Sequence, residues 1–174
     1  MGRASVKENK TVYQQYREAC GMTRAEASEA MQFITDSRIE KIENEKTTAA
    51  PEEVMAMARA YAKPELCNYF CTHECAIGRE WVPPIRERPV EAIVLEMLDT
   101  LNNLEKNRNR LIEITSDGVI HDDQIEDFVH IRAQLDRMRS VVDSLRLWFD
   151  TAVANGSVNG EILQDVLRRT AGKT

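Results

Sequence analysis

Apolar residues in the second half of the chain recur at helical spacing. From Pro89 they fall at Val90, Val94, Met97, Leu101, Leu104 and Leu111, with Arg108 in the one skipped slot. Past Asp122 and Asp123 a second series runs Phe128, Ile131, Leu135, Met138, Val142, Leu145 and Phe149 without a break. Alternating steps of three and four keep side chains on one face of a helix. Each series therefore predicts a helix of about 25 to 33 residues, roughly 40 to 50 Å long. The link from Ser116 to His121 leaves room only for an antiparallel hairpin. Ile162, Val166 and Leu167 mark a short last helix, about residues 160–169.

The two interhelix links follow one scheme. Gly118 and Gly156 each sit just past a helix end, an apolar residue follows two later, and then comes a capping Asp or Asn. Both long helices also carry more apolar residues than one seam uses: Ile93, Leu98 and Ile112 on the first, and Ile125, Val141 and Trp148 on the second. That arc is too wide for a lone hairpin to bury. The last helix covers part of it, and a second subunit is the natural cover for the rest, which predicts a homodimer.

The first half reads as shorter helices. Thr11 to Cys20 forms one, with Val12, Tyr16 and Ala19 or Cys20 on its inner face. Thr23 and Glu26 make a T-x-x-E capping box before the Ala-rich stretch Arg24 to Met31. Thr35 or Asp36 caps the next helix, whose Ile39 and Ile42 face inward while Ser37, Arg38 and Lys41 face outward. Pro51 suits a first turn, Glu52 and Glu53 favour its positive end, and Val54, Met57, Ala58 and Tyr61 form a core face. Pro64 opens a fifth helix reaching about Phe70. Cys71 to Arg86, with Gly78 and Pro83-Pro84, is predicted to be a hinge. The chain is thus expected to be all-α: a five-helix domain over residues 1–80, then a long antiparallel hairpin with a short C-terminal helix over 81–174.

Gly21-Met22-Thr23, the small residues Ala27 and Ser28, and Ile39-Glu40-Lys41-Ile42-Glu43-Asn44 followed by Lys46 resemble the lambda-repressor-like (Cro/repressor, XRE) helix-turn-helix family. The resemblance covers the first 65 to 80 residues. It implies a DNA-binding transcriptional regulator whose recognition helix, about residues 36–44, enters the major groove of double-stranded DNA. It further implies an ion pair between Arg17 and Glu43 beneath that helix. Arg24 would approach a phosphate, Thr35 would lie at the DNA face, and Ser37, Arg38 and Lys41 would reach base edges, with Lys46 close by. Two features depart from the family pattern. The segment from Met31 to Ile39 is one residue longer than usual, and Asp36 puts a carboxylate near the phosphates.

Charge tempers this picture. The chain holds 23 basic and 29 acidic side chains, for a net charge of −6. Residues 1–80 carry 11 Lys/Arg against 13 Asp/Glu, net −2. Positive surface must come from local arrangement, from Arg3, Lys7 and Lys10 in an N-terminal arm and from the basic residues around the motif. Non-specific DNA affinity is expected to be weak and salt-sensitive. A non-DNA-binding helical scaffold is the alternative reading. With no secretory h-region in MGRASVKENK and no 18-residue apolar run, a cytoplasmic protein without a membrane span is expected.

Cys67, Cys71 and Cys75, with His73 between the last two, allow buried thiols, a Zn²⁺ site or a Cys71–Cys75 disulfide. C-x₃-C-x-H-x-C is not a standard zinc spacing, and no metal or other cofactor is expected. Glu113 to Gln124 matches the middle of an EF-hand loop, but Gln124 stands where a bidentate Glu is needed. The sequence has no G-x-S-x-G, P-loop, G-x-G-x-x-G or H-E-x-x-H, so no enzyme is expected.

Overall fold

A computed structural model describes residues 9–171, and every regular element among them is helical. The basic arm residues Arg3 and Lys7 lie outside the described residues. The chain divides into two compact units, Met1–Pro84 with Phe149–Thr174, and Ile85–Trp148.

The first unit opens with α1 (Val12–Ala19), α2 (Arg24–Met31), α3 (Asp36–Glu43), α4 (Pro51–Ala60), α5 (Glu65–His73) and α6 (Ala76–Trp81). The starts of the first three are set by threonines whose hydroxyls take the free N–H groups of the first turn. Thr11 accepts from Gln14, Thr23 from Glu26 and Thr35 from Arg38. Glu26 returns a bond to the Thr23 N–H at 2.7 Å, which completes the capping box. The Ala50 side chain before α4 has no acceptor, so only the returning half exists there: the Ala50 N–H donates to Glu53 Oε2 at 2.7 Å. The core gathers Tyr13, Met31, Ile39, Ile42, Met57, Tyr61 and Leu66 between these helices.

The inner face of α1 is rotated one position from the expected one. Tyr13, Gln14 and Arg17 are buried, Val12 and Tyr16 are half-buried, and Ala19 and Cys20 face solvent. Polar partners cause this. Tyr13 donates to Glu74 at 2.8 Å and meets Tyr69 edge-on, Gln14 donates to Glu18, and Arg17 reaches Glu43.

The segment expected as a hinge is partly helical. α5 continues to His73, and α6 occupies Ala76–Trp81. Gly78 makes this joint possible, because a Cβ there would stand 2.2 Å from the Cys71 carbonyl oxygen. The Cys75 sulfur accepts the Gly78 N–H at 3.4 Å and so serves as the cap of α6. Pro83 and Pro84 follow, where a helix cannot continue.

In the second unit α7 (Val90–Ile114) and the body of α8 (Ile125–Ala154) are joined by a 3₁₀ turn at Asp122–Gln124. Side-chain bonds tie the helices at three heights: Arg110 to Asp127, Asn107 to Gln134 and Arg137 to Glu96. One chain number rises as the other falls, so the helices run antiparallel. The row that turns inward on α7 is Ile93, Thr100 and Ile114, with Asn107 between them, and on α8 it includes Ile131 and Val141. Of the stripes expected in the seam, Val94, Leu101, Phe128, Leu135 and Val142 are exposed, whereas Ile131 is buried and Met97, Leu104, Leu111, Met138 and Leu145 are half-buried. On α7 the buried row lies one residue aside from the expected one, and two of its positions are polar. The Thr100 hydroxyl satisfies itself on the Glu96 carbonyl at 2.7 Å, and Asn107 pairs across to Gln134. Counting apolar residues alone therefore selects the neighbouring row.

Helix ends follow the glycine scheme. Gly118 and Gly156 both adopt left-handed backbone, with φ of 75° and 78°. Asn159 caps α9 (Gly160–Ala171) by accepting from Glu161 and Ile162. No helix among the described residues is long and apolar enough to cross a membrane.

Candidate nucleic-acid interface

The α2–turn–α3 segment is built on one strained residue. Gln32, at the end of α2, has φ 64° and ψ −38°, and the Phe33 N–H bonds back to the Met31 carbonyl at 2.8 Å. This is a γ-turn with positive φ, an uncommon and costly geometry for a residue with a side chain. It accommodates the extra residue between α2 and α3. Phe33 is pushed into solvent, 64 % exposed, while Ile34 drops into the core at 2 %.

Beneath α3 lies a buried charge cluster. Arg17 donates to Glu43 through Nε at 2.6 Å and Nη2 at 2.9 Å, and its Nη1 donates to the Met22 carbonyl at 2.7 Å. Arg24 adds a bond from its Nε to the same carboxylate at 2.8 Å. Glu43 is fully buried, and two guanidiniums with three hydrogen bonds replace its lost water. Burial pulls Arg17 downward, but the Glu43 carboxylate outweighs it and the net shift is upward. Arg24, expected near a phosphate, sits half-buried at the rim of this cluster.

The outward row of α3 divides into free and engaged side chains. Ser37, Glu40 and Lys41 are exposed. Asp36 is exposed too, and its Oδ1 turns back to accept the Ser37 N–H at 2.6 Å. Thr35 is exposed, with its hydroxyl used as the α3 cap. Arg38 reaches away from the row. Its guanidinium meets Glu53 at 2.7 and 2.8 Å, Thr47 Oγ1 at 2.7 Å and the Thr48 carbonyl at 3.0 Å. The Glu53 hydrogen bonds raise the Arg38 pKa; Arg38 in turn is the main cause that holds Glu53 below the usual carboxylate range.

α3 ends in a Schellman turn: the Lys46 N–H bonds to the Lys41 carbonyl and the Glu45 N–H to the Ile42 carbonyl, with Glu45 at φ 58°. The turn fixes Lys46 next to the exposed end of α3, and Thr47 follows. Lys10, from the expected arm, is occupied with Glu18 at 2.6 Å. The open side of α3 therefore shows Lys41 and Lys46 among Asp36, Glu40 and Glu45.

The cysteine cluster is placed as follows. Cys67 and Cys71 lie on α5, Cys75 caps α6, and all are unbridged. Burial pushes the Cys67 and Cys71 thiols up, which keeps them protonated at neutral pH. His73 stacks on Tyr69 with centroids 4.4 Å apart. Among the described residues no group of His, Cys, Asp and Glu is arranged to hold a metal. In the EF-hand-like stretch, Asp117 pairs with His121 at 2.8 Å and accepts the Val119 N–H, as a turn residue does.

Glu53 and Thr47, which hold Arg38, were not legible as site residues. The sequence signal was slight: Glu53 reads as a first-turn acid of α4, and its second role depends on a contact fifteen residues back.

Residues 14–66 match the Helix-turn-helix family model of the Cro/C1, XRE type. This part of the chain is similar to a helix-turn-helix domain, a type of domain found in DNA-binding transcription regulators. The match runs from within α1 to the start of α5. No curated protein and no solved structure gave a significant match to the chain.

Proposed function

We propose that the protein is a sequence-specific regulator that inserts α3 into the major groove of double-stranded DNA and acts as a homodimer. The observation that carries this is the outward row of α3. Ser37 and Lys41 stand open to solvent on a helix whose other face is locked by Ile39, Ile42 and the Arg17–Glu43–Arg24 cluster. In this reading Ser37 and Lys41 address base edges, while Thr35, Lys46 and the rim of Arg24 lie toward phosphates. Arg38 acts differently from a base reader. With four of its five N–H donors on Glu53, Thr47 and Thr48, it positions α3 against the start of α4.

Selection of bound sequences from a random duplex pool, followed by fluorescence anisotropy on the winners, tests the reading. Lys41→Ala is expected to cost about 1–3 kcal/mol on the selected site and to relax preference at one base position. Enrichment of no sequence, together with unchanged anisotropy for Lys41→Ala, overturns it.

A second reading, a protein-binding scaffold, draws on Asp36, Glu40 and Glu45, which share the same open surface with the two lysines. A gel shift on random DNA at low salt separates the two. A groove reader retains weak, salt-dependent binding, and a scaffold shows none.

A further inference from the structure

We infer that the open face of the α7–α8 hairpin is the surface on which a second copy of this chain docks, with α7 of each copy lying along α8 of the other. This deepens the homodimer half of the reading above by naming its interface.

Val94, Leu98 and Leu101 on α7 and Phe128, Leu135 and Val142 on α8 are each 39 to 52 % exposed. With Ile93 and Thr100 turned inward on α7, and Ile131 and Val141 inward on α8, helical spacing puts these six on the same side of the hairpin. The face is about 37 Å long, from the 25 residues of α7, and about 20 Å across two helices. Its area is thus roughly 700 Å², close to the ~800 Å² per partner of a stable protein complex.

Charge selects the occupant and its direction. The three cross-links between the helices fix which residues stand level. Interpolating between them sets Glu91 level with Arg146, Leu98 with Arg139, Glu105 with Arg132, and Ile112 with Ile125. All eight are exposed: α7 contributes Glu91 and Glu105, the latter also 3.7 Å from Arg108 of its own helix, and α8 contributes Arg132, Arg139 and Arg146. A two-fold axis running along the helices brings α7 over the other copy's α8 at the same height. Glu91 then meets the partner subunit's Arg146, Glu105 meets the partner subunit's Arg132, and Ile112 packs on the partner subunit's Ile125. The Arg139 stem lies along the Leu98 level, with its head free to keep Asp143. The alternative two-fold, across the helices, lays α7 on α7 and α8 on α8, so Glu91 and Glu105 lose their arginine partners on α8. The charges on the face are therefore complementary with the axis along the helices, in an isologous interface.

The test is sedimentation velocity on the full chain without DNA, so that its result is independent of whether α3 binds a duplex. Wild-type protein is expected to sediment as a dimer at micromolar concentration. Glu105→Arg and Arg132→Glu are each expected to weaken the dimer about tenfold or more, and the double reversal to restore it. Leu98→Glu is expected to give a monomer of unchanged helical circular dichroism, since the position is already half in water. A wild-type monomer at up to a hundred-fold higher concentration overturns the inference. So does a dimer indifferent to Leu98→Glu, or a double reversal that does not recover association. Preference relaxed by Lys41→Ala in a dimer indifferent to Leu98→Glu would support the DNA reading alone; a dimer lost in Leu98→Glu, with preference unmoved by Lys41→Ala, would support the interface alone.

Discussion

Arg38 and Glu53 form a two-pronged ion pair, Nε to Oε1 at 2.7 Å and Nη2 to Oε2 at 2.8 Å, which joins α3 to the first turn of α4. The same carboxylate caps α4 through the Ala50 N–H. Removing Arg38 should therefore act on stability first. Both partners are partly screened by water, so Arg38→Ala is expected to cost about 1 kcal/mol by urea unfolding. The Arg38–Glu53 coupling in a double-mutant cycle is expected to be about 0.5–1 kcal/mol. Its effect on DNA affinity should be spread evenly over base positions. A loss confined to one base position would show that Arg38 leaves Glu53 to read the duplex.

The pH dependence of stability follows from the same carboxylate. Arg38 is the main cause of Glu53's lowered pKa; burial opposes it and the Ala50 N–H adds to it. A carboxyl whose folded pKa is below its unfolded one gives stability that is present above the unfolded value and is lost as pH falls through the folded one. Glu18, held down chiefly by Lys10, and Glu96, held down chiefly by Arg88, act in the same direction. Melting temperature should therefore hold steady near neutrality and fall once pH drops below the ordinary carboxylate range. Glu53→Gln should lower the neutral plateau and flatten that fall, which a series of thermal melts against pH would show.

The buried cluster under α3 should be the most expensive polar feature to break. Glu43 is fully enclosed, and Arg17 is nearly so. Arg17→Met strands a carboxylate with only the rim guanidinium of Arg24, and a loss of about 3–5 kcal/mol is expected. Arg17→Met with Glu43→Leu removes both charges and should cost clearly less than the two single changes added together. Chemical denaturation of the three variants gives the comparison.

What the sequence showed plainly is what a few neighbouring residues decide. Thr23 with Glu26, Pro51, Gly118 and Gly156 mark helix ends because caps and left-handed turns are satisfied within about six residues. What it hid depends on contacts far along the chain or on polar residues in apolar places. The hairpin seam passes through Thr100 and Asn107, so the more continuous apolar row beside it looked like the seam. The inner face of α1 turns on Tyr13 and Arg17, whose partners Glu74 and Glu43 are 61 and 26 residues away. Arg38 lies on the outer row by spacing, yet its side chain bends to α4. In each case helical periodicity gives the direction of the Cα–Cβ bond and says nothing about where a long polar side chain finds its partner.

Gly78 tests the α5–α6 joint. A methyl group there would collide with the Cys71 backbone, which cannot swing aside as a flexible side chain would. Gly78→Ala is expected to cost about 2 kcal/mol or to detach α6. Because Cys75 loses its place as the α6 cap in the detached form, its thiol should react faster with a disulfide reagent. Unchanged stability and unchanged thiol kinetics would show that α6 is not held at this contact.

Three helices of the first unit end in the same Schellman arrangement, at Gly21, Glu45 and Ala62, but only the first has a glycine in the left-handed position. Glu45 and Ala62 pay a steric cost that glycine avoids. Ala62→Gly and Glu45→Gly are each expected to stabilise the fold by about 0.5–1 kcal/mol, the relief of left-handed strain exceeding the added freedom of the unfolded chain. The two changes should separate on DNA. Glu45 lies next to Lys46 at the end of α3, and removing its carboxylate should tighten binding and steepen the salt dependence. Ala62→Gly should leave both unchanged. Glu45→Gln supplies the cross-check: it keeps the Cβ and the strain but loses the charge, so it should share the gain in affinity without the gain in melting temperature. If Glu45→Gly and Glu45→Gln both leave affinity untouched, the surface beside Lys46 is not where the phosphates run.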